Sequence, residues 1–339
     1  MSIRTRREFL GDVTRGFVGA TAGVVALLDS SSVTAASGEM PYRTLGHTGE
    51  KVSLLGVGGS DIGTQRDESD SIRIIRSALD NGVNFLDNCW DYHEGGSEIR
   101  MGKALRDGYR KKAFLMTKID GQTKASAEKQ LNESLRRLQT DTIDLLQCHE
   151  VVRMTDPERI FGPDGSIEAL VAARKAGKIR YIGFTGHRDP NIHLHMLETS
   201  FKHKFLFDTV QMPLNVMDPH YLSFTNKVLP VLVEHNIAPL AMKTLGAGAF
   251  VKVLPTVGLT PRECLQYSMS LPISVLISGM KTMEDLNRNL ETARTFRPLG
   301  KTEVAAVLAK TAPVASAGKY EWFKHGRPGY TFDHPESKG

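Results

Sequence analysis

From Ser53 onward, short apolar runs rich in β-forming residues alternate with longer stretches whose apolar positions fall at i, i+3 and i+4. The apolar runs are "VSLLGVG", "NFLDN", "AFLMTKI", "TIDLLQCH", "IRYIGFTG", "TVQMPLN", "IAPLAMKTL" and "ISVLISG", eight in all. Between and after them fall "SDSIRIIRSALDNG", "GSEIRMGKALRDG", "ASAEKQLNESLRRL", "SIEALVAARKAGK", "NIHLHMLETSF", "LSFTNKVLPVLVEHN", "TPRECLQYSMS" and "TMEDLNRNLETART". Several of these end in Gly or Asn, which tolerate the left-handed stop of a helix. Eight strand and helix pairs in strict order, with strands apolar on both faces, predict an α/β fold, a closed parallel (β/α)₈ TIM barrel over residues 41–300. The run "YRTLGHTGEKV" carries a turn signal at "HTGE" and predicts an N-terminal β-hairpin across the closed bottom. The extension at 301–339 is only weakly periodic and is expected to pack outside the barrel.

Composition removes some classes. With 40% hydrophobic and 24% charged residues in 339, the chain is an ordinary globular protein. Its net charge of +5 is dispersed, without a dense basic block interleaved with aromatics, so nucleic acid is not an expected partner. Cys89, Cys148 and Cys264 lack metal-ligand spacing and are too few for a disulfide framework. The first 36 residues read differently. "TRREFLG" sets Arg6 and Arg7 before the uncharged stretch "GFVGATAGVVALL", and the small residues "SSSVTAAS" follow. This resembles a twin-arginine export signal cleaved near Ala35 or Ala36. It implies passage through the twin-arginine translocase, a periplasmic location, and no stable membrane insertion after processing.

In a barrel of this type the C-terminal ends of the strands form the functional face. Four groups fall there together: Asp87 ends the second strand, Tyr92 follows in its loop, Lys118 ends the third and His149 ends the fourth. Charged groups at the ends of apolar strands need partners, because burying them unpaired is costly. A lysine between an aspartate and a tyrosine is expected to lower the phenol pKa from its free value of about 10, making Tyr92 a usable general acid. A histidine beside it can orient the same substrate oxygen. Such a pocket would polarise a carbonyl and protonate the alkoxide formed when hydride arrives.

The chain at this point resembles the aldo-keto reductase family over about residues 42–296. The likeness is carried in order by "YRTLGHTGEKVSLLGVG", "FLDNCWDYHEGGSEIRMGKAL", "LMTKI", "TIDLLQCHE", "KAGKIRYIGFTGH", "QMPLN", "LGAG" and "SGMKTMEDLNRNLE". The resemblance implies a nicotinamide-dependent enzyme that interconverts carbonyls and alcohols, with Asp87, Tyr92, Lys118 and His149 as its catalytic tetrad. It implies Gln211 on the nicotinamide carboxamide, with the phosphates held at Leu245, Gly246 and Gly248 and at Gly279, Lys281, Thr282 and Asp285. Asn289 would meet the adenine. Where the family has a Ser-Asn pair, this chain has Thr185 and Gly186 followed by His187. Where the family stacks an aromatic ring on the nicotinamide, it has Met242 and Lys243. A basic residue at Lys281 implies NADPH in preference to NADH, with the helix amides near Thr282 free for a phosphate.

Structural readings stand beside these. Lys118 could be a surface lysine, His149 a satisfied core histidine, Thr282 an N-cap completed by Asp285, and "LGAG" a turn. Trp90, Tyr320, Trp322 and Phe323 are candidates either for a substrate pocket or for packing of the tail. Two other classes stay open at this stage. One is a metal-dependent barrel hydrolase or isomerase using Asp87, His93, Glu94, Glu98 and His149 as ligands. The other is an exported binding protein that kept the barrel without its chemistry.

Overall fold

The computed structural model describes residues 38–325, so the leader and its export motif lie outside the described residues. Eight parallel strands close into a barrel: β3 (Leu55–Gly58), β4 (Phe85–Leu86), β5 (Phe114–Ile119), β6 (Ile143–Cys148), β7 (Ile179–Thr185), β8 (Thr209–Pro213), β9 (Ala238–Met242) and β10 (Val275–Gly279). Closure is made where β10 pairs with β3, Leu276 opposite Leu55 and Gly279 opposite Gly58. β5, β6 and β8 are buried along their whole length, which is why their sequences read apolar on both faces.

Helices follow the strands as the periodicity predicts, with physical exceptions. The second strand spans only Phe85–Leu86, although the Asp87 amide still donates to the Val57 carbonyl of β3 at 2.9 Å. "LSFTNKVLPVLVEHN" breaks into Phe224–Lys227 and Leu229–Glu234, since Pro230 has no N–H to continue the first helix. The periodicity does not show three α-helices of the described residues: Gly59–Ile62, Asp156–Phe161, which opens on Asp156 and Pro157, and Lys301–Thr311 in the extension.

The hairpin of β1 (Tyr42–Thr44) and β2 (Lys51–Ser53) turns through Gly46–Thr48 and lies across the bottom of the barrel. Leu45 and Val52 are fully buried there against Phe85, Phe114, Met116, Leu145, Leu240 and Val275, the lower layer of the interior. Arg43 secures it by donating to the carbonyls of Met269, Leu271 and Ile273 at 2.8, 3.0 and 2.7 Å. Burial of that guanidinium pushes its pKa down to about 10.

The extension packs outside the barrel, but its end returns to the mouth. After the helix Lys301–Thr311, where Thr311 Oγ1 donates to the Val216 carbonyl at 2.9 Å, the chain descends to Trp322–Lys324. Lys324 is buried, and its ammonium donates to Asp218 at 2.8 Å, Glu321 at 2.9 Å and the Tyr221 carbonyl at 2.7 Å. Asn215, the last residue of "QMPLN", donates to the other oxygen of Glu321 at 3.0 Å. A buried ion pair of this kind breaks expensively when one partner is removed, at about 3 to 5 kcal/mol. Lys324→Met is therefore expected to lower the thermal midpoint and expose the segment from residue 312 onward to limited proteolysis. An unchanged midpoint and digestion pattern would show that the tail is held by its apolar contacts alone.

Candidate active site

The C-terminal ends of β4, β5 and β6 bring the four expected residues into one cluster. Asp87 and Lys118 are buried, at 3% and 1% exposure, and pair directly. Lys118 Nζ also donates to the Asn88 carbonyl at 2.6 Å and to the Tyr92 hydroxyl oxygen at 3.2 Å. An ammonium has three N–H groups, and all three are used. Tyr92 Oη thus accepts from Lys118, which leaves the phenolic proton available to another acceptor. Gly59 makes the close approach possible, since a Cβ there would stand 2.3 Å from the Asp87 carbonyl oxygen.

One expectation is corrected here. The phenol of Tyr92 lies well above its ordinary pKa, not below it. Burial is the main cause, and the carboxylate of Asp87 adds to it, because Lys118 is neutralised by Asp87 at closer range than it meets the phenol.

His149 stands edge-on to Tyr92, ring centroids 6.0 Å apart. Its Nδ1 lies 2.6 Å from Asp120 Oδ1 and 3.3 Å from Cys89 Sγ. A carboxylate only accepts, so the short contact makes Nδ1 the donor and turns the lone pair or charge-borne proton of Nε2 to the site. Asp120 was missed in the sequence. Its signal was modest, an acid two positions beyond Lys118 in "LMTKID".

The expected cofactor residues line the opposite arc. Gln211 on β8 is 2% exposed, and its Oε1 is a buried oxygen without a hydrogen-bond partner. Such an atom suits the amide N–H₂ of a carboxamide. Thr185 ends β7 with its hydroxyl 4.0 Å from Met242 Sδ, and Gly186 packs where a Cβ would meet the Val151 carbonyl oxygen at 2.3 Å. Beyond β9, Lys243, Gly246, Ala247 and Gly248 all take positive φ, and the amides of Gly246 and Gly248 donate back to the carbonyls of Lys243 and Leu245 at 2.9 and 3.1 Å, as in turns.

Around Gly279 the picture changes. Thr282 caps the helix Met283–Arg294 with Asp285 in a reciprocal box, as its alternative reading held. Asp285 Oδ2 accepts from the amides of Lys281 and Thr282, both at 3.1 Å, so the amides expected to be free for a phosphate are occupied. Lys281 faces Asp61 at 3.8 Å, and Asp61 also covers Gly279. Asn289 donates to Ser278 Oγ at 3.1 Å.

The metal set does not converge. Asp87 holds Lys118, Glu98 accepts from Thr117 at 2.6 Å below the mouth, and His93 Nε2 is 2.7 Å from the Ser60 carbonyl. Among the described residues, only Cys89, Asp120 and His149 bring potential ligand atoms together. There the 2.6 Å contact is shorter than the roughly 3.4 Å between two ligands of one tetrahedral ion with bonds of about 2.1 Å. Of the candidate pocket aromatics, Trp90 turns outward, donating to Glu133 at 2.7 Å and stacking on Arg137, whereas Phe323 reaches the mouth.

The model of the "Aldo/keto reductase family" matches residues 54–256, more than half of the chain. The chain belongs to the aldo/keto reductase family. This aldo/keto reductase is 31% identical over 224 residues to the aldo-keto reductase YhdN of Bacillus subtilis, covering 62% of the chain and 63% of YhdN. It is 36% identical over 159 residues to the L-galactose dehydrogenase of Arabidopsis thaliana, which is 44% of the chain and 49% of that enzyme. The chain thus spans less than two thirds of the length of either relative. It is 26% identical over 317 residues to the oxidoreductase YqkF of Bacillus subtilis, 97% of which is covered. Its fold is shared with the holo form of the aldo-keto reductase AKR11C1 from Bacillus halodurans, with a TM-score of 0.69 at 24% identity over 83% of this chain and all of that one.

Asp120 is expected to act by holding His149 in its Nδ1–H form. Asp120→Asn should change the ¹⁵N chemical shifts of the His149 ring and lower kcat for carbonyl reduction by about tenfold or more, while Asp120→Glu restores part of the loss. Unaltered ring shifts would show that the carboxylate does not set the tautomer.

Proposed function

We propose that this aldo/keto reductase reduces an aldehyde or ketone to an alcohol, or runs the reverse reaction, with NADPH as the preferred hydride donor. The observation that carries the reading is Lys118, whose three N–H groups are spent on Asp87, Asn88 and Tyr92, so that the phenol keeps its own proton to give. A nicotinamide held at Gln211 would supply hydride to the carbonyl carbon. The chain's own residues do the rest. His149, held at Nδ1 by Asp120, orients the carbonyl oxygen when Nε2 also carries a proton to donate to it. Tyr92 delivers its proton to that oxygen as negative charge grows on it. Lys118 then stands 3.2 Å from the phenolate and compensates its charge until solvent restores the proton. The raised phenol pKa is compatible with this role, because an alkoxide is a far stronger base than a phenolate.

The residues fit a nicotinamide dinucleotide at two places, the unpartnered Oε1 of Gln211 and the left-handed backbone around "LGAG". The NADPH preference rests on Lys281 alone, and a 2′-phosphate there competes with Asp61 for its charge. Export through the twin-arginine translocase to the periplasm rests on Arg6, Arg7 and the stretch behind them.

Tyr92→Phe removes the proton and leaves the rest of the pocket in place. It should reduce carbonyl turnover by more than about a hundredfold while NADPH still binds. A variant that keeps most of its turnover would assign the proton to another group.

A further inference from the structure

Lys243 is the first residue beyond β9, at the place where the family resemblance puts an aromatic ring on the nicotinamide. A positive φ of 55° turns it from the strand, and its half-buried side chain sets the ammonium 5.4 Å from the ring centroid of Phe323 in the tail. The other two lysines buried in this region are paired: Lys118 with Asp87, Lys324 with Asp218 and Glu321. Among the described residues, Lys243 has no carboxylate within 4 Å and no hydrogen bond. The aromatic face replaces only part of the hydration that the ammonium has lost. Burial pushes its pKa down to about 8, and the charge of Lys118 adds to that, against the opposing pull of Glu150 and Asp87.

The tail shows where the ammonium points, since it faces the Phe323 ring. Asp87, Lys118 and Glu150 stand at the ends of β4, β5 and β6, beside Tyr92 and His149, on the substrate side of the mouth. Asp61 and Lys281 follow β3 and β10, the neighbours of β4 and β9, and face each other at 3.8 Å. His187, after β7, completes the wall: it contacts the Phe323 carbonyl at 2.8 Å and Glu150 at 3.3 Å, so the tail is fixed over this corner. Among the described residues the corner therefore offers a cation with no carboxylate in contact, an aromatic face, and, through His187, a link to Glu150, which follows His149.

We propose that Lys243 and the Phe323 face form an anion subsite, and that the carbonyl substrate carries a carboxylate which binds there. The substrate class is an oxo acid or an aldehyde acid. A monoanion suits the site better than a dianion, because Glu150 and Asp87 oppose further negative charge while Lys243 supplies a single positive one. This rests on the reductase reading, which names the carbonyl end of the same substrate.

The test uses the full chain with NADPH and two acid and ester pairs: 4-oxobutanoate and 4-formylbenzoate, each against its methyl ester. Shape is held nearly constant within a pair, and only the charge differs. The acid should have the higher kcat/KM by about tenfold or more, as expected of a charged hydrogen bond. Lys243→Met should bring the acid to ester ratio close to one, and Lys243→Arg should keep it. Equal rates for acid and ester in the unmodified protein, or a preference that survives Lys243→Met, would overturn the subsite. Higher kcat/KM for glyceraldehyde 3-phosphate than for either acid would overturn the choice of a monoanion. If no carbonyl compound is reduced, the reductase reading fails, and the subsite is judged by calorimetric titration with the monoanions butanoate and benzoate. Saturable binding lost in Lys243→Met supports it, and no binding overturns it.

Discussion

The buried ammonium of Lys118 is the constraint around which the mouth is organised. A charge at the end of an apolar strand is tolerated only with its hydrogen bonds complete, and the three acceptors it finds come from one short segment, Asp87, Asn88 and Tyr92. That requirement explains why glycine stands at position 59, where a Cβ would meet the Asp87 carbonyl oxygen. It also explains why the tyrosine approaches as an acceptor, with its own proton uncommitted. In the proposed chemistry the same arrangement that makes the fold acceptable makes the phenol a donor.

A second layer of charge holds the rim. Asn215 and Asp218 follow β8, and with Glu321 and Lys324 they form a buried polar knot that draws the extension back over the mouth. Burial pushes Glu321 up to about 7, consistent with two carboxylates sharing one ammonium out of water. The knot places Phe323 against Lys243 and His187, so part of the mouth is built by residues far along the chain from the strands they cover.

The barrel was legible because buried parallel strands write themselves as continuous apolar runs, and each run ended where its strand ends to within a few residues. The catalytic cluster was legible for the same reason: Asp87, Lys118 and His149 are polar groups closing such runs. Periodicity could not show who pairs with whom. The Asp285 contact with the amides of Lys281 and Thr282, and the approach of Asp61 to Lys281, are tertiary choices between groups that sequence treats alike. The sign of the Tyr92 shift was misread because the sequence puts lysine beside tyrosine but cannot weigh burial against charge. Asp120 was invisible as a functional residue, since an acid after a strand is also a common loop residue.

Transfer of deuterium from NADPH labelled at C4 of the nicotinamide tests the central claim most directly. Incubated with the full chain and an aldehyde in ordinary water, it should yield an alcohol carrying deuterium on the carbinol carbon, with the hydroxyl proton drawn from solvent. An alcohol without carbon-bound deuterium, or no alcohol from any aldehyde or ketone tried, would contradict hydride transfer at this site.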